Sequence, residues 1–147
     1  MKKKIAILGS TGSIGKTLFK ILKKDKIKFE ITLLTANKNV KELLKQVKIF
    51  KVKNIIITDN KKFLFLKKNL HKSKIKIYNN FDNIDNIFAK IKNDYVMSSI
   101  TGIEGLNPTL KIIKHTKKIA IANKESIVCG WSLIQEKLLK FKTKFIP

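Results

Sequence analysis

Apolar positions along this chain fall in short blocks that switch between strand-like runs and helix-like spacing. Ile5-Ala6-Ile7-Leu8 is an apolar run that stops at Gly9; glycine returns at Gly12 and Gly15, and Ile14, Leu18, Ile21 and Leu22 then recur at intervals of three and four. This order predicts a strand, a glycine turn and a helix. The same alternation continues: Phe29 to Thr35 predicts a second strand, Val40, Leu43, Leu44, Val47 and Phe50 trace one face of a helix, and Asn54 to Thr58 predicts a third strand. A helix is predicted from Lys61 to Leu70, a short strand from Lys74 to Tyr78, and a helix from Phe81 to Lys92 with Ile84, Ile87, Phe88 and Ile91 on one side. Tyr95 to Ser98 and Lys118 to Ala122 read as strands flanking a helix from Leu106 to His115, in which Pro108 fits only the first turn. Asn123-Lys124-Glu125-Ser126 reads as a polar turn, Leu133 to Phe141 as a last helix, and Thr143 to Ile146 as the start of another strand.

Strands alternating with helices at this spacing indicate βαβ units with right-handed crossovers. The expected fold class is α/β, a Rossmann-like, doubly wound and mostly parallel sheet with helices on both faces, with residues 1–147 forming one domain. No linker and no internal repeat divides it. A strand that starts at Thr143 without a successor suggests a piece of something longer.

Composition changes this picture little. The chain has 147 residues, 44% of them hydrophobic, which is enough for one substantial core. Its formal charge of +23 suggests nucleic acid or an anionic membrane as a partner. Two features argue against that. All 33 basic residues are lysine, so arginine, the residue suited to bidentate phosphate and guanine contacts, is absent. The lysines also spread over the whole chain among Ile and Asn, as an adenine- and thymine-rich genome would produce. No nucleic acid is therefore expected as a partner. No membrane is expected either, because no apolar run approaches the roughly 18 residues of a span. Cys129 is the single cysteine, read as a buried structural thiol in a reducing compartment, the cytoplasm. His71 and His115 are read as surface residues without partners, and Trp131 as a packing residue.

In a doubly wound sheet, ligands sit beyond the carboxyl ends of the strands, so the candidate chemistry lies in the loops at Gly9–Gly15, Thr35–Asn39 and Ala122–Ser126. A glycine turn feeding a helix N-terminus presents free N–H groups and partial positive charge, a seat for phosphate; the alternative is a plain β-α turn. Gly9 and Gly12 would let the backbone reverse and approach a ligand, and Gly15 would let the helix lie close on the strand. The spacing is G-x-x-G-x-x-G, neither the usual dinucleotide fingerprint nor a P-loop. The loop after the second strand carries no carboxylate for a ribose 2′-hydroxyl, whereas Lys38 is placed to neutralise a 2′-phosphate, which favours NADP over NAD. Solvation is the other reading of Lys38. In Asn123-Lys124-Glu125-Ser126, a helix cap and a binding loop are both open readings. Ser98 to Gly102 supplies small residues at a further strand end.

Taken together, GSTGSIG at Gly9–Gly15, NKNV at Asn37–Val40, TGIEGLNPTL at Thr101–Leu110 and ANKES at Ala122–Ser126 resemble the 1-deoxy-D-xylulose 5-phosphate reductoisomerase family along the whole chain. The resemblance implies an NADPH-binding domain followed by catalytic and C-terminal helical domains. It also implies a rearrangement and reduction of 1-deoxy-D-xylulose 5-phosphate to 2-C-methyl-D-erythritol 4-phosphate, in non-mevalonate isoprenoid synthesis, with Mg²⁺ or Mn²⁺. Carried across by motif, Thr11, Gly12, Ser13 and Ile14 would contact the cofactor pyrophosphate and adjoining groups. Asn37, Lys38 and Asn39 would surround the 2′-phosphate; the family commonly has glycine where Asn37 stands. Asn123 and Glu125 would meet the nicotinamide half, and Lys124 would reach the sugar-phosphate substrate. The family continues after Ile-Pro with Val-Asp-Ser-Glu-His, whose acidic residues bind the metal, so these 147 residues are expected to bind cofactor but not to turn over substrate. The full-length protein is expected to be a homodimer. The competing expectation is a stand-alone NADP-binding or redox-sensing module.

Overall fold

The computed structural model describes residues 1–147. Seven strands form one sheet in which every pairing is parallel, β1 (Lys3–Leu8), β2 (Phe29–Ala36), β3 (Asn54–Ile57), β4 (Lys76–Tyr78), β5 (Tyr95–Ser98), β6 (Lys118–Ile121) and β7 (Lys144–Ile146), in the order β4-β3-β2-β1-β5-β6-β7. From β1 the chain winds outward through β2, β3 and β4, then returns to the other side of β1 and winds outward through β5, β6 and β7. The reversal lies between β1 and β5, where the loops at their carboxyl ends diverge and leave a crevice.

Both faces of the sheet are covered, which explains why its strands are apolar on consecutive residues rather than alternate ones. Ile5, Ile7, Ile31, Leu34, Ile55 and Ile57 point to one core beneath α1 (Ser13–Lys24), α2 (Val40–Phe50) and α3 (Asn60–Asn69). Ala6, Leu8, Leu33, Ile56, Val96 and Ile119 point to the other, beneath α4 (Ile84–Ile87), α5 (Leu106–Ile112) and α6 (Lys124–Phe141). Helix α1 buries Gly15, Phe19 and Leu22 at intervals of four and three, and Phe19 meets Phe50 of α2 edge-on at 5.2 Å. The β1–β2 register slips between Ile5 and Ala6. Thr32, the residue skipped there, donates to the Ile5 carbonyl (3.2 Å) and to Asn93 Oδ1 (2.6 Å).

Four expectations need correction. The segment Phe81 to Lys92 is not one helix: a 3₁₀ turn at Phe81–Asn83 leads into the single turn α4, and the chain then leaves helical geometry to bring Asn93 beside Thr116, where its N–H donates to the His115 carbonyl (2.8 Å). The last helix starts at Lys124 rather than Leu133, since the side chain of Asn123 caps it, accepting from the Ser126 N–H (3.0 Å). The backbone leaves helical geometry only at Gly130, where a Cβ would stand 2.7 Å from Leu106 Cδ2. Cys129 is exposed on this helix, not buried. His115 does have a partner: its Nε2 lies 2.7 Å from Asp85 Oδ1, and its ring packs against Phe88. Pro108 sits in the first turn of α5, and Trp131 packs edge-on against Phe145. No helix is long and apolar enough to cross a membrane.

Candidate functional site

The turn between β1 and α1 is shaped by two glycines for two different reasons. Gly9 has φ +78°, a conformation side chains disfavour, and a Cβ there would meet the Ser99 carbonyl oxygen at 2.9 Å. Gly15 lies so close over the turn that a Cβ would stand 2.6 Å from Ser10 Cα. Gly12 has ordinary φ (−76°) and is exposed, so its value is open space rather than conformation. The turn is held from below by β2: Thr35 Oγ1 accepts from the Gly9 N–H (2.8 Å), and the Thr35 carbonyl accepts from the Ser10 N–H (2.9 Å). Buried Gln46 of α2 donates through Nε2 to the Ser10 carbonyl (2.9 Å), while its Oε1 is buried with no partner.

Helix α1 then begins without a cap. Gly12 has no side chain to offer, and the N–H groups of Thr11, Ser13, Ile14 and Gly15 find no acceptor in the protein. Helices α2, α3 and α6 are all capped, by Asn39, Asp59 and Asn123. The turn leading into α1 contributes Gly9, Thr11 and Gly12 to the wall of a cleft of about 550 Å³, which is lined also by Thr35, Ala36, Asn37, Thr58, Phe81, Ser99, Ile100, Thr101 and Glu104. That volume suits a small-molecule ligand, and the cleft sits at the β1/β5 reversal. A chain of oriented N–H groups with a glycine-lined approach is a fit for the pyrophosphate of a dinucleotide.

The loop after β2 is bound to the loop after β3. Thr58 Oγ1 donates to Asn37 Oδ1 (3.1 Å), and the Asp59 N–H donates to the Asn37 carbonyl (3.1 Å). Asn37 lines the main cleft; exposed Lys38 lines an adjoining one of about 360 Å³ with Val40, Asp59, Lys61, Lys62 and Phe65. Asn39 accepts from the Glu42 N–H (3.1 Å) and so acts as the α2 cap. On the other side of the reversal, Asn123 is 5% exposed and its Nδ2 donates to the Ile100 and Gly102 carbonyls. Its amide thus orders the loop after β5, while Lys124 and Glu125 are exposed on the first turn of α6, outside the main cleft. Of the expected residues, the structure brings Thr11, Gly12 and Asn37 to the cleft wall, with Ser13 and Ile14 on the free turn beside it. Thr58, Phe81 and Gln46 escaped the sequence reading, since nothing in their local pattern separates them from ordinary loop and helix residues.

No group of three or more His, Cys, Asp or Glu is arranged to hold a metal ion.

Comparison with known proteins decides the relationship. The profile of the 1-deoxy-D-xylulose 5-phosphate reductoisomerase family matches residues 5–130. The chain belongs to this family. It is 59% identical to the 1-deoxy-D-xylulose 5-phosphate reductoisomerase of Pelagibacter ubique (strain HTCC1062), over 99% of this chain and 38% of that protein. The structure of the Zymomonas mobilis reductoisomerase in complex with NADPH superposes with a TM-score of 0.89 at 31% identity, covering 100% of this chain and 38% of that one. A reductoisomerase in complex with NADPH, fosmidomycin and magnesium gives 0.88 at 27% identity, covering 99% of this chain and 36% of that one. The chain therefore spans about 38% of the length of the curated reductoisomerases it matches.

Proposed function

We propose that residues 1–147 are the NADPH-binding domain of a 1-deoxy-D-xylulose 5-phosphate reductoisomerase, which rearranges and reduces that sugar phosphate to 2-C-methyl-D-erythritol 4-phosphate. The observation that carries this reading is the uncapped N-terminus of α1 beside the cleft at the β1/β5 reversal, in a chain of this family. The free N–H groups from Thr11 to Gly15 would receive the pyrophosphate. Asn37 and Lys38, with the Asn39 backbone, would surround the adenosine 2′-phosphate, and Lys38 supplies the charge that prefers NADPH to NADH. Asn123 orders the loop on the nicotinamide side, Glu125 stands beside that half, and Lys124 is free to reach a substrate anion. When bound, NADPH supplies the hydride. The family's Mg²⁺ or Mn²⁺ would need acidic ligands from a segment outside these residues, which hold no such cluster. A homodimeric protein acting in the cytoplasm completes the reading.

Calorimetric titration of this chain should show NADPH binding more tightly than NADH. The protein extended through the family's Val-Asp-Ser-Glu-His segment and the domains beyond should consume NADPH with 1-deoxy-D-xylulose 5-phosphate and Mg²⁺, whereas residues 1–147 alone should show no turnover. Failure of the extended protein to oxidise NADPH would refute the assignment.

A further inference from the structure

Most residues lining the main cleft are glycines or carry polar side chains; the hydrophobic residues among them are Ala36, Phe81 and Ile100. Phe81 is the one aromatic side chain there, and neither the motifs nor the comparisons give it a role. It opens the 3₁₀ turn that follows β4, so it stands on the β2-β3-β4 side of the reversal, the side of Asn37. The nicotinamide side, by contrast, is reached from β6 and Asn123.

The position of Phe81 is fixed before any ligand arrives. Asn79 Nδ2 donates to the Ile57 and Thr58 carbonyls (3.1 and 3.3 Å), tying the loop after β4 to the end of β3. Asn80 Oδ1 accepts from the Asp82 N–H (2.9 Å) and fixes the turn, and Asp82 pairs with Lys111 of α5 (2.5 Å). Phe81 is half-buried, packed against the core beneath α4–α6 and also forming part of the cleft wall. A pre-positioned aromatic face loses little entropy on binding, and a purine ring is the flat apolar part of a dinucleotide that such a face suits. Resting on the NADPH reading above, we infer that Phe81 is the platform on which the adenine ring of the cofactor stacks.

Calorimetry on the 147-residue chain tests this with NADPH, NADH and 2′-phospho-ADP-ribose, which lacks nicotinamide. Phe81→Leu should weaken all three by the same factor, about tenfold, leaving the NADPH-to-NADH ratio unchanged, while Phe81→Trp stays within about threefold of the unmutated chain. On the unmutated chain, the adenine H2 and H8 proton resonances of NADPH should move upfield on binding through the ring current of the phenyl group; this reading does not depend on any variant folding. Unchanged affinity in Phe81→Leu, or adenine protons that do not shift, would overturn the Phe81 assignment while leaving the cofactor assignment intact. An unmutated chain that binds none of the three ligands would overturn the cofactor assignment itself.

Discussion

Lys38 and Gly15 would serve the proposed cofactor through different physics. Lys38 is exposed and makes no ion pair within the chain, so its contribution to cofactor choice under the proposed function would be a screened attraction of the size measured for exposed pairs, up to about 1 kcal/mol. Lys38→Ala should therefore narrow the NADPH-to-NADH preference about two- to fivefold, read by titration with both cofactors, and rising salt should erode the same preference in the unmutated chain. Gly15 works by exclusion. A Cβ at 2.6 Å from Ser10 Cα has only backbone to push against, so Gly15→Ala should cost about 1–3 kcal/mol in urea unfolding and displace the turn that carries the free N–H groups. Asp85 is a third case, remote from the cleft. Hydrogen bonds from His115 and then Lys114 hold its carboxyl down to about 2. Its folded value lies below the unfolded one, so the stabilisation is complete above pH ~4 and is lost as pH falls toward that folded value. Asp85→Asn should flatten the acid limb of a stability-against-pH curve in that window and leave the curve's neutral region parallel to the unmutated one.

At the scale of elements, Asn123 joins two of them. Its Oδ1 caps α6 and its Nδ2 satisfies two carbonyls of the loop after β5. Asn123→Ala removes a cap, about 1 kcal/mol, and leaves carbonyls of a packed loop without donors, about 1–3 kcal/mol more; thermal unfolding should show a correspondingly large drop. The same residue shows what a sequence can and cannot disclose. Strand and helix periodicity placed every strand within two residues and predicted α2 at its observed bounds, because burial of both sheet faces imposes local runs of apolar residues. Of the readings of ANKES, the cap is the one the fold shows: Asn123 caps α6, and Lys124, Glu125 and Ser126 form its first turn rather than a separate polar turn. What stayed hidden depends on pairing across the sequence. Gln46 reaches Ser10 from 36 positions away, and Asn79 brings Phe81 to a wall shared with Thr58 and Asn37. Periodicity within one window carries no trace of either. The break of Phe81–Lys92 into a turn and α4 was hidden for a similar reason, since its four apolar positions fit a longer helix as well as the short return actually made.

For the molecule as a whole, the sheet divides the labour. The β2-β3-β4 half holds the side chains expected around adenosine, the β5-β6 half those expected around the reacting ring, and the β1 turn holds the bridge between them. Both cores are closed without a ligand, so the chain should unfold in one cooperative transition. NADPH at one hundred times its dissociation constant should then stabilise it by about 2.7 kcal/mol and raise the unfolding temperature in step with cofactor concentration; NADH at the same concentration should raise it less.

The bare start of α1 has a consequence for the life of the protein. Three of the long helices are finished by their own sequence, and under the proposed function the cofactor would finish this one. In the free chain the Ser13 and Ile14 amides should exchange quickly with deuterated solvent, and the turn from Gly9 to Gly15 should be the first place to loosen. The reduced cofactor would slow that opening. A newly made copy that meets NADPH early would outlast proteases that a starved copy would not, so the cell's redox supply would govern how much of the protein persists as well as how fast it works.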